Sequence, residues 1–502
     1  MDGAAPVWLR GSPATPGEDG SVIGVKHNVV SGGSGPPGLK AQTYNVYVRV
    51  LLISTYDMGR QPFGLASPAA WLLEAGLDVT CVDLAKEKLS DEVVRRVGVI
   101  GFFLPMHTAT RLALSVIDRV RAINPGARLI AYGLYAPLNE ALLRDRGISH
   151  VLGGEFEQDL VQTVLGAHTP PASRDLDPAL GAAAARRDIP RLQFRVPARG
   201  GLLPLAHYAT LQVRDERRTV GYTEASRGCK HRCRHCPIVP VYDGRFRVVP
   251  ADVVLADVRG QVAAGARHIT FGDPDFFNGI RHAEAVMRGF AREFPDVSYD
   301  VTIKVEHLLR HAAMLPVLRE TGCAFVTTAV ESVDNEVLAK LEKGHTRDDF
   351  ERVVARCRDA SLPLAPTFVP FTPWTTLQGY LDLLHVIDWL DLVEHVSPIQ
   401  LAIRLLIPQG SRMLELDEVR RSTAAFDSRS LTYPWVHPDP AVDALQAELT
   451  RLVGIATSLP RREVFAKVWD LAHDRAGIRA ARREPTLVSR AAIPYLNEPW
   501  YC

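Results

Sequence analysis

The chain has 502 residues, 47% hydrophobic and 23% charged, with a formal net charge of +1. That is the composition of a folded chain of two or three domains, and so small a net charge argues against a nucleic-acid partner held through its phosphates. No apolar run reaches the ~20 residues that cross a bilayer. The N-terminus lacks signal-peptide order, and seven cysteines do not suggest a secreted disulfide scaffold, so no membrane and a reducing cytoplasm are expected.

Residues 1–45 are rich in Gly, Pro and Ser and are expected to be disordered. From residue 46 to 165 strand and helix patterns alternate. V-Y-V-R-V-L-L-I opens as a buried strand, and a helix ends at Ala75-Gly76 before L-D-V-T-C-V-D-L. V-G-V-I-G-F-F-L reads as a parallel strand buried on both faces. A helix over 108–123 stops at N-P-G, and A-R-L-I-A-Y-G and H-V-L-G-G-E supply two more strands. This alternation predicts an α/β fold with a doubly wound, Rossmann-like parallel sheet. Ligands on such a sheet bind at the carboxyl ends of its strands, here residues 54–60, 105–108 and 132–136. His107 stands at one of these ends, where a polar loop residue is the plain reading. Residues 166–217 read as a Pro-, Arg- and Ala-rich linker.

The segment R-G-C-K-H-R-C-R-H-C-P carries Cys229, Cys233 and Cys236 with C-x-x-x-C-x-x-C spacing. Three thiolates from one loop can hold three irons of a [4Fe–4S] cubane and leave the fourth open. A zinc site completed by His231 or His235, or a disulfide with a spare thiol, is the alternative. The spacing, placed after a β-like run and before several βα units, resembles the radical S-adenosyl-L-methionine (SAM) superfamily. The resemblance implies an enzyme in which the open iron binds SAM, one electron cleaves it, and a 5′-deoxyadenosyl radical forms. The residue before the last cysteine is usually aromatic there and lies against adenine; here it is His235. Residues 46–165 resemble the cobalamin-binding domain that precedes many radical SAM cores, without its cobalt-ligating D-x-H-x-x-G signature.

Residues 218–431 carry six strand patterns separated by helices, which predicts a partial (β/α)6 barrel with its site at the strand C-termini. Strand two ends in Gly272-Asp273-Pro274-Asp275, in the place of the superfamily's Gly-Gly-Glu-like turn at the SAM amino group; an Asx turn is the plain alternative. Strand three ends in Lys304, expected as an acid or a partner of the SAM carboxylate, or else as a rim charge. Strand four ends in Glu331-Ser332, a pair that the resemblance places on the ribose and carboxylate, with Ser332 also a candidate N-cap. Arg404 on strand six is expected to pair with the methionyl carboxylate. The Pro- and aromatic-rich loop around Trp374 is expected to pack.

Residues 432–502 are expected to form a helical extension and tail. The order Y-G-L-Y-A, R-G-C-K-H, F-G-D-P-D-F-F-N-G, I-K-V-E-H-L-L and F-V-P-F-T-P-W-T-T looks like the CUAEP/CCAEP-tail radical SAM proteins, over residues 48–502. Members end in Trp-Tyr-Cys, then selenocysteine or cysteine, then Ala-Glu-Pro. This sequence stops at Cys502, so a UGA-encoded selenocysteine followed by Ala-Glu-Pro is expected beyond it, and a catalytic role is expected for Cys502. The leading function is radical chemistry on a small-molecule substrate, with flavodoxin or ferredoxin as electron donor. Cobalamin-dependent methyl transfer, and a thiol or selenol tail handling a thiophilic or metalloid substrate, are the alternatives; a non-catalytic Fe–S or zinc module is the plainest one. Cys81, Cys323 and Cys357 are expected to be structural.

Overall fold

The computed structural model describes residues 48–166, 191–456 and 459–478, together with the backbone of 495–497. Residues 47–502 form one unit. Within it, five parallel strands, β1 (Arg49–Ser54), β2 (Asp78–Asp83), β3 (Val99–Phe103), β4 (Arg128–Tyr132) and β5 (His150–Leu152), lie in the order β2-β1-β3-β4-β5. Helices Phe63–Glu74 and His107–Ile123 run where the sequence periodicity places them. Separate apolar clusters cover the two faces of the sheet, which is why V-G-V-I-G-F-F is apolar on successive residues.

The second sheet has seven strands. β6 (Thr210–Val213) and β7 (Glu216–Thr223) form a hairpin, followed outside the sheet by β8 (Ser226–Gly228) and β9 (Phe246–Val248). β10 (His268–Phe271), β11 (Ser298–Thr302), β12 (Cys323–Glu331) and β13 (Leu364–Phe368) continue it in parallel with β7, each crossing over through a helical segment. β14 (Tyr495–Asn497) pairs antiparallel with β6, so the order is β13-β12-β11-β10-β7-β6-β14. The result is a curled half-barrel with helices outside. Two expectations shift. The linker region contains β6 and the start of β7, and the tail returns as a strand rather than continuing as helix. The sixth strand pattern folds as a 3-10 turn, Pro398–Leu401, and joins no named strand among the described residues; its Arg404 makes an isolated bridge with Phe371, beyond the end of β13. Its prolines remove ladder donors and restrict the preceding residues. The expected disorder of residues 1–45 and the role of Cys502 fall outside the described residues.

The two sheets meet at Arg227, one residue before Gly228-Cys229. Its guanidinium touches Glu155 at 3.3 Å, Glu157 at 2.7 Å and Glu224 at 2.7 Å, and faces the rings of Phe63, Phe156 and Phe194. Burial opposes its charge and the three carboxylates restore it. Removing it would leave those carboxylates facing one another in a closed interface. Arg227→Ala should therefore lose about 3–5 kcal/mol of stability in urea unfolding; a loss below about 1 kcal/mol would refute this role.

Candidate active site

The cysteine segment is an excursion from a two-stranded ribbon. β8 and β9 pair Ser226 with Val248 and Gly228 with Phe246, so residues 229–245 leave and return at one point. Gly228 has φ +71, and a Cβ there would lie 2.4 Å from the Tyr242 ring and 2.5 Å from the Arg245 carbonyl. Only glycine turns the chain at that position. Inside the excursion Arg234 N donates to the Leu341 carbonyl, and Arg412 reaches both the Arg232 carbonyl and Glu342. Cys233 is buried and Cys229 and Cys236 half-buried. Cys229 Sγ lies 3.8 Å from Asn278 Oδ1, and Lys304 Nζ lies 3.7 Å from Cys233 Sγ. Burial, aggravated by the neighbouring sulfurs, pushes the Cys236 thiol up to about 12 and raises Cys229 as well. Three thiolates together in this loop would need a cationic group among them, and the donor set fits an iron–sulfur cluster.

The strand ends bring part of the predicted set to that loop. Glu331 stands at φ +70, beside a register shift between β12 and β13. A side chain other than glycine is strained there. The conformation aims its carboxylate at His235 Nε2, 3.1 Å away, and Lys343 Nζ, 3.3 Å away. Burial opposes its ionisation, yet Lys343 and His235 hold the carboxyl down to about 2. His345, also buried, is pushed down to about 4 by burial and by Lys343 and Lys304. Lys343 and His345 were missed in the sequence; the one local signal is Gly344, whose φ of +75 turns E-K-G-H sharply.

Other predicted residues are occupied elsewhere. A Cβ on Gly272 would lie 1.7 Å from the Tyr222 hydroxyl, so this glycine is required by packing. Asp273 accepts from Ala225 N at 2.9 Å and from Ser226 Oγ, which ties the strand-two turn to the chain entering β8; burial pushes it up to about 7. Asp275 caps the turn Phe276–Gly279 through Phe277 N and is shut in by His231 and His307. Ser332 Oγ accepts from Asp334 N, and Asp334 caps helix Asn335–Lys340, the role expected of Ser332. Arg404 stands apart, bound to Asp443 at 2.6 Å and the Trp435 carbonyl at 2.7 Å, with its guanidinium over the Trp435 ring. A carboxylate ligand would have to displace Asp443. Trp374 packs with Leu405 and Met413, as expected. Cys81, Cys323 and Cys357 are buried, Cys81 and Cys323 within strands and Cys357 on helix Arg347–Asp359.

The carboxyl ends of the first sheet face the cysteine loop. Leu134 and Tyr135, after β4, pack in one cluster with Val241, and burial pushes the Tyr135 phenol up. Ser54 at the end of β1 is fully buried, and its hydroxyl makes no hydrogen bond among the described residues. His107 Nε2 meets the Ser430 carbonyl at 2.5 Å, and Phe426 and Leu431 pack on the same cluster, so the last residues of the barrel segment partly cover these ends.

Residues 223–383 match the radical SAM superfamily. They are a radical SAM domain, and the protein is an enzyme whose cofactors are a [4Fe–4S] cluster and SAM. Among curated proteins the chain is 24% identical over 189 residues to the ribosomal protein uS12 methylthiotransferase RimO of Geobacter sulfurreducens, covering 33% of this chain and 39% of that one. It is 23% identical over 315 residues to hopanoid C-3 methylase of Methylococcus capsulatus, 60% of this chain and 59% of that one. It thus spans about two fifths of the first relative's length. Among solved structures, the radical SAM methyltransferase TsrM of Kitasatospora setae superposes with TM-score 0.60 at 17% identity, over 80% of this chain and 88% of that one. The cobalamin-dependent radical enzyme OxsB with aqua-cobalamin bound gives TM-score 0.65 at 14% identity, over 82% and 67%. At these identities the likeness is one of fold.

Two predictions follow from the geometry. Arg404→Met should cost about 1–3 kcal/mol by freeing Asp443 and leave SAM affinity within twofold by equilibrium dialysis; a tenfold loss of SAM affinity would return Arg404 to the cofactor. Asp83, buried at the end of β2, is raised by burial to about 6. A raised carboxyl contributes stability below about pH 4 that is lost as pH rises through about 6. Asp83→Asn should remove that slope between pH 4 and 7; an unchanged slope would refute the assignment.

Proposed function

We propose that the protein is a cobalamin-dependent radical SAM enzyme that methylates a small-molecule substrate. The observation that carries this reading is the approach of the first sheet's carboxyl ends to the cysteine loop, where Leu134 and Tyr135 share an apolar cluster with Val241. A cofactor on that sheet would lie directly against a cluster held by Cys229, Cys233 and Cys236. The fold shared with TsrM and OxsB supports it, as does the buried, unbonded Ser54 hydroxyl at a strand end. His107 is engaged by Ser430 and so is not among the residues that would hold a cobalamin here.

A cluster with one open iron supplies the electron that cleaves SAM, and cobalamin supplies a methyl carrier. The remaining work falls to the protein. Lys304 donates toward the Cys233 sulfur and offsets its charge in a site largely closed to water. Lys304 and Lys343 are two buried cations suited to the methionyl carboxylate, and Glu331 holds Lys343 in place. His235, steadied by Glu331, offers its ring face for adenine. An electron donor of the flavodoxin or ferredoxin class would reduce the cluster.

Anaerobically reconstituted protein should hold about four irons and four sulfides per chain and retain about one hydroxocobalamin through dialysis. Cys236→Ala should lose the brown chromophore and SAM cleavage while keeping cobalamin. No retention at micromolar cobalamin would overturn the cobalamin reading, and zinc without iron or sulfide would overturn the cluster.

A further inference from the structure

We propose a mononuclear divalent-metal site, separate from the three cysteines, formed by His231, Asp275 and His307. One ligand atom from each of the three lies within 4.8 Å of the others. Asp275 Oδ2 is 2.7 Å from His307 Nδ1 and 3.5 Å from His231 Nε2. Ligands held about 2.0–2.2 Å from one ion, at octahedral or tetrahedral angles, lie roughly 2.8–3.6 Å apart. These separations fall close to that window.

The second observation concerns satisfaction. Asp275 and His307 are both fully buried, yet Asp275 Oδ2 and His307 Nδ1 make no hydrogen bond of acceptable geometry to any described residue, although they are 2.7 Å apart. Two buried polar atoms held together without a well-directed hydrogen bond can both take a third partner between them. Two imidazoles and one carboxylate form the donor set of zinc and ferrous sites, with positions left for water or another ligand. Glu306 Oε2, 3.6 Å from His231 Nδ1, can take the outer proton of that ring and orient it. Lys304, the nearby cation, is drawn toward Cys233 and Glu306.

The three ligands come from three places: the cysteine loop between Cys229 and Cys233, the end of β10, and helix Val305–Arg310, which follows β11. An ion here fastens the loop to two barrel strands. Its role is to position the loop; it does not enter the radical chemistry.

Zinc alone is the probe. The full chain, treated with chelator and reconstituted with iron and sulfide, is incubated with zinc, passed through a desalting column and assayed for metals. One zinc per chain beyond the cluster iron is expected. His307→Ala and Asp275→Asn should lose at least 90% of that zinc, with circular dichroism unchanged. A second arm uses the Cys229→Ser, Cys233→Ser, Cys236→Ser chain, which should still bind one zinc and lose it on adding His307→Ala. Fewer than about 0.1 zinc per chain in both parents, or equal zinc with and without His307, overturns the proposal. Loss of iron in the triple variant with zinc retained separates this site from the cluster, so failure of either assignment is read independently.

Discussion

The constraint on which the rest depends is the buried charge of Arg227. It is the residue through which the first sheet grips the chain that becomes the cysteine loop. Glu155 and Glu157 belong to the first sheet's last turn and helix, Glu224 lies just past β7, and Gly228 and Cys229 follow directly. One guanidinium cannot satisfy three carboxylates from two domains unless the domains hold one mutual position. Arg199 repeats the device nearby, with Asp257 at 2.7 Å, Gln61 at 2.8 Å and the Tyr222 carbonyl at 2.6 Å. The packing of Tyr135 with Val241 of the cysteine excursion is therefore a property of a fixed interface.

Local strain and electrostatics are concentrated where the strands end. Glu331 is held in the left-handed region, and the surrounding ion pairs offset the cost, on the order of 1–3 kcal/mol. The same arrangement pushes neighbouring groups in opposite directions: Glu331 down to about 2 and Cys236 up to about 12. Such divergence between neighbours is the pattern expected where a charged ligand or metal is bound. The C-terminal extension closes the far side. Arg404 anchors Trp435 and Asp443, and helices Pro440–Ile455 and Arg461–Ala476 pack through Leu445 and Trp469 onto the core beneath helix Leu377–Trp389.

Much of this architecture was legible in the sequence. The five strands of the first sheet carry apolar runs dictated by burial on two faces, β7 and β10 to β13 carry strand patterns of their own, and the C-x-x-x-C-x-x-C spacing is a local property of one loop. The strand-end positions of Lys304 and Glu331 follow from the same periodicity. What periodicity could not supply was the partner of each polar residue. Arg404 and Asp273 looked like ligand residues from their places on strands, yet each meets a protein partner, half-buried Asp443 and buried Ser226, brought there by the fold. His231, Asp275 and His307 are far apart in sequence and carry no shared motif, so only the convergence of three elements makes them neighbours. Spacing and hydrophobic pattern are written along the chain and set the fold class and the cysteine loop; charge pairing acts through space, and the tertiary structure alone decides which polar side chains remain open to a ligand.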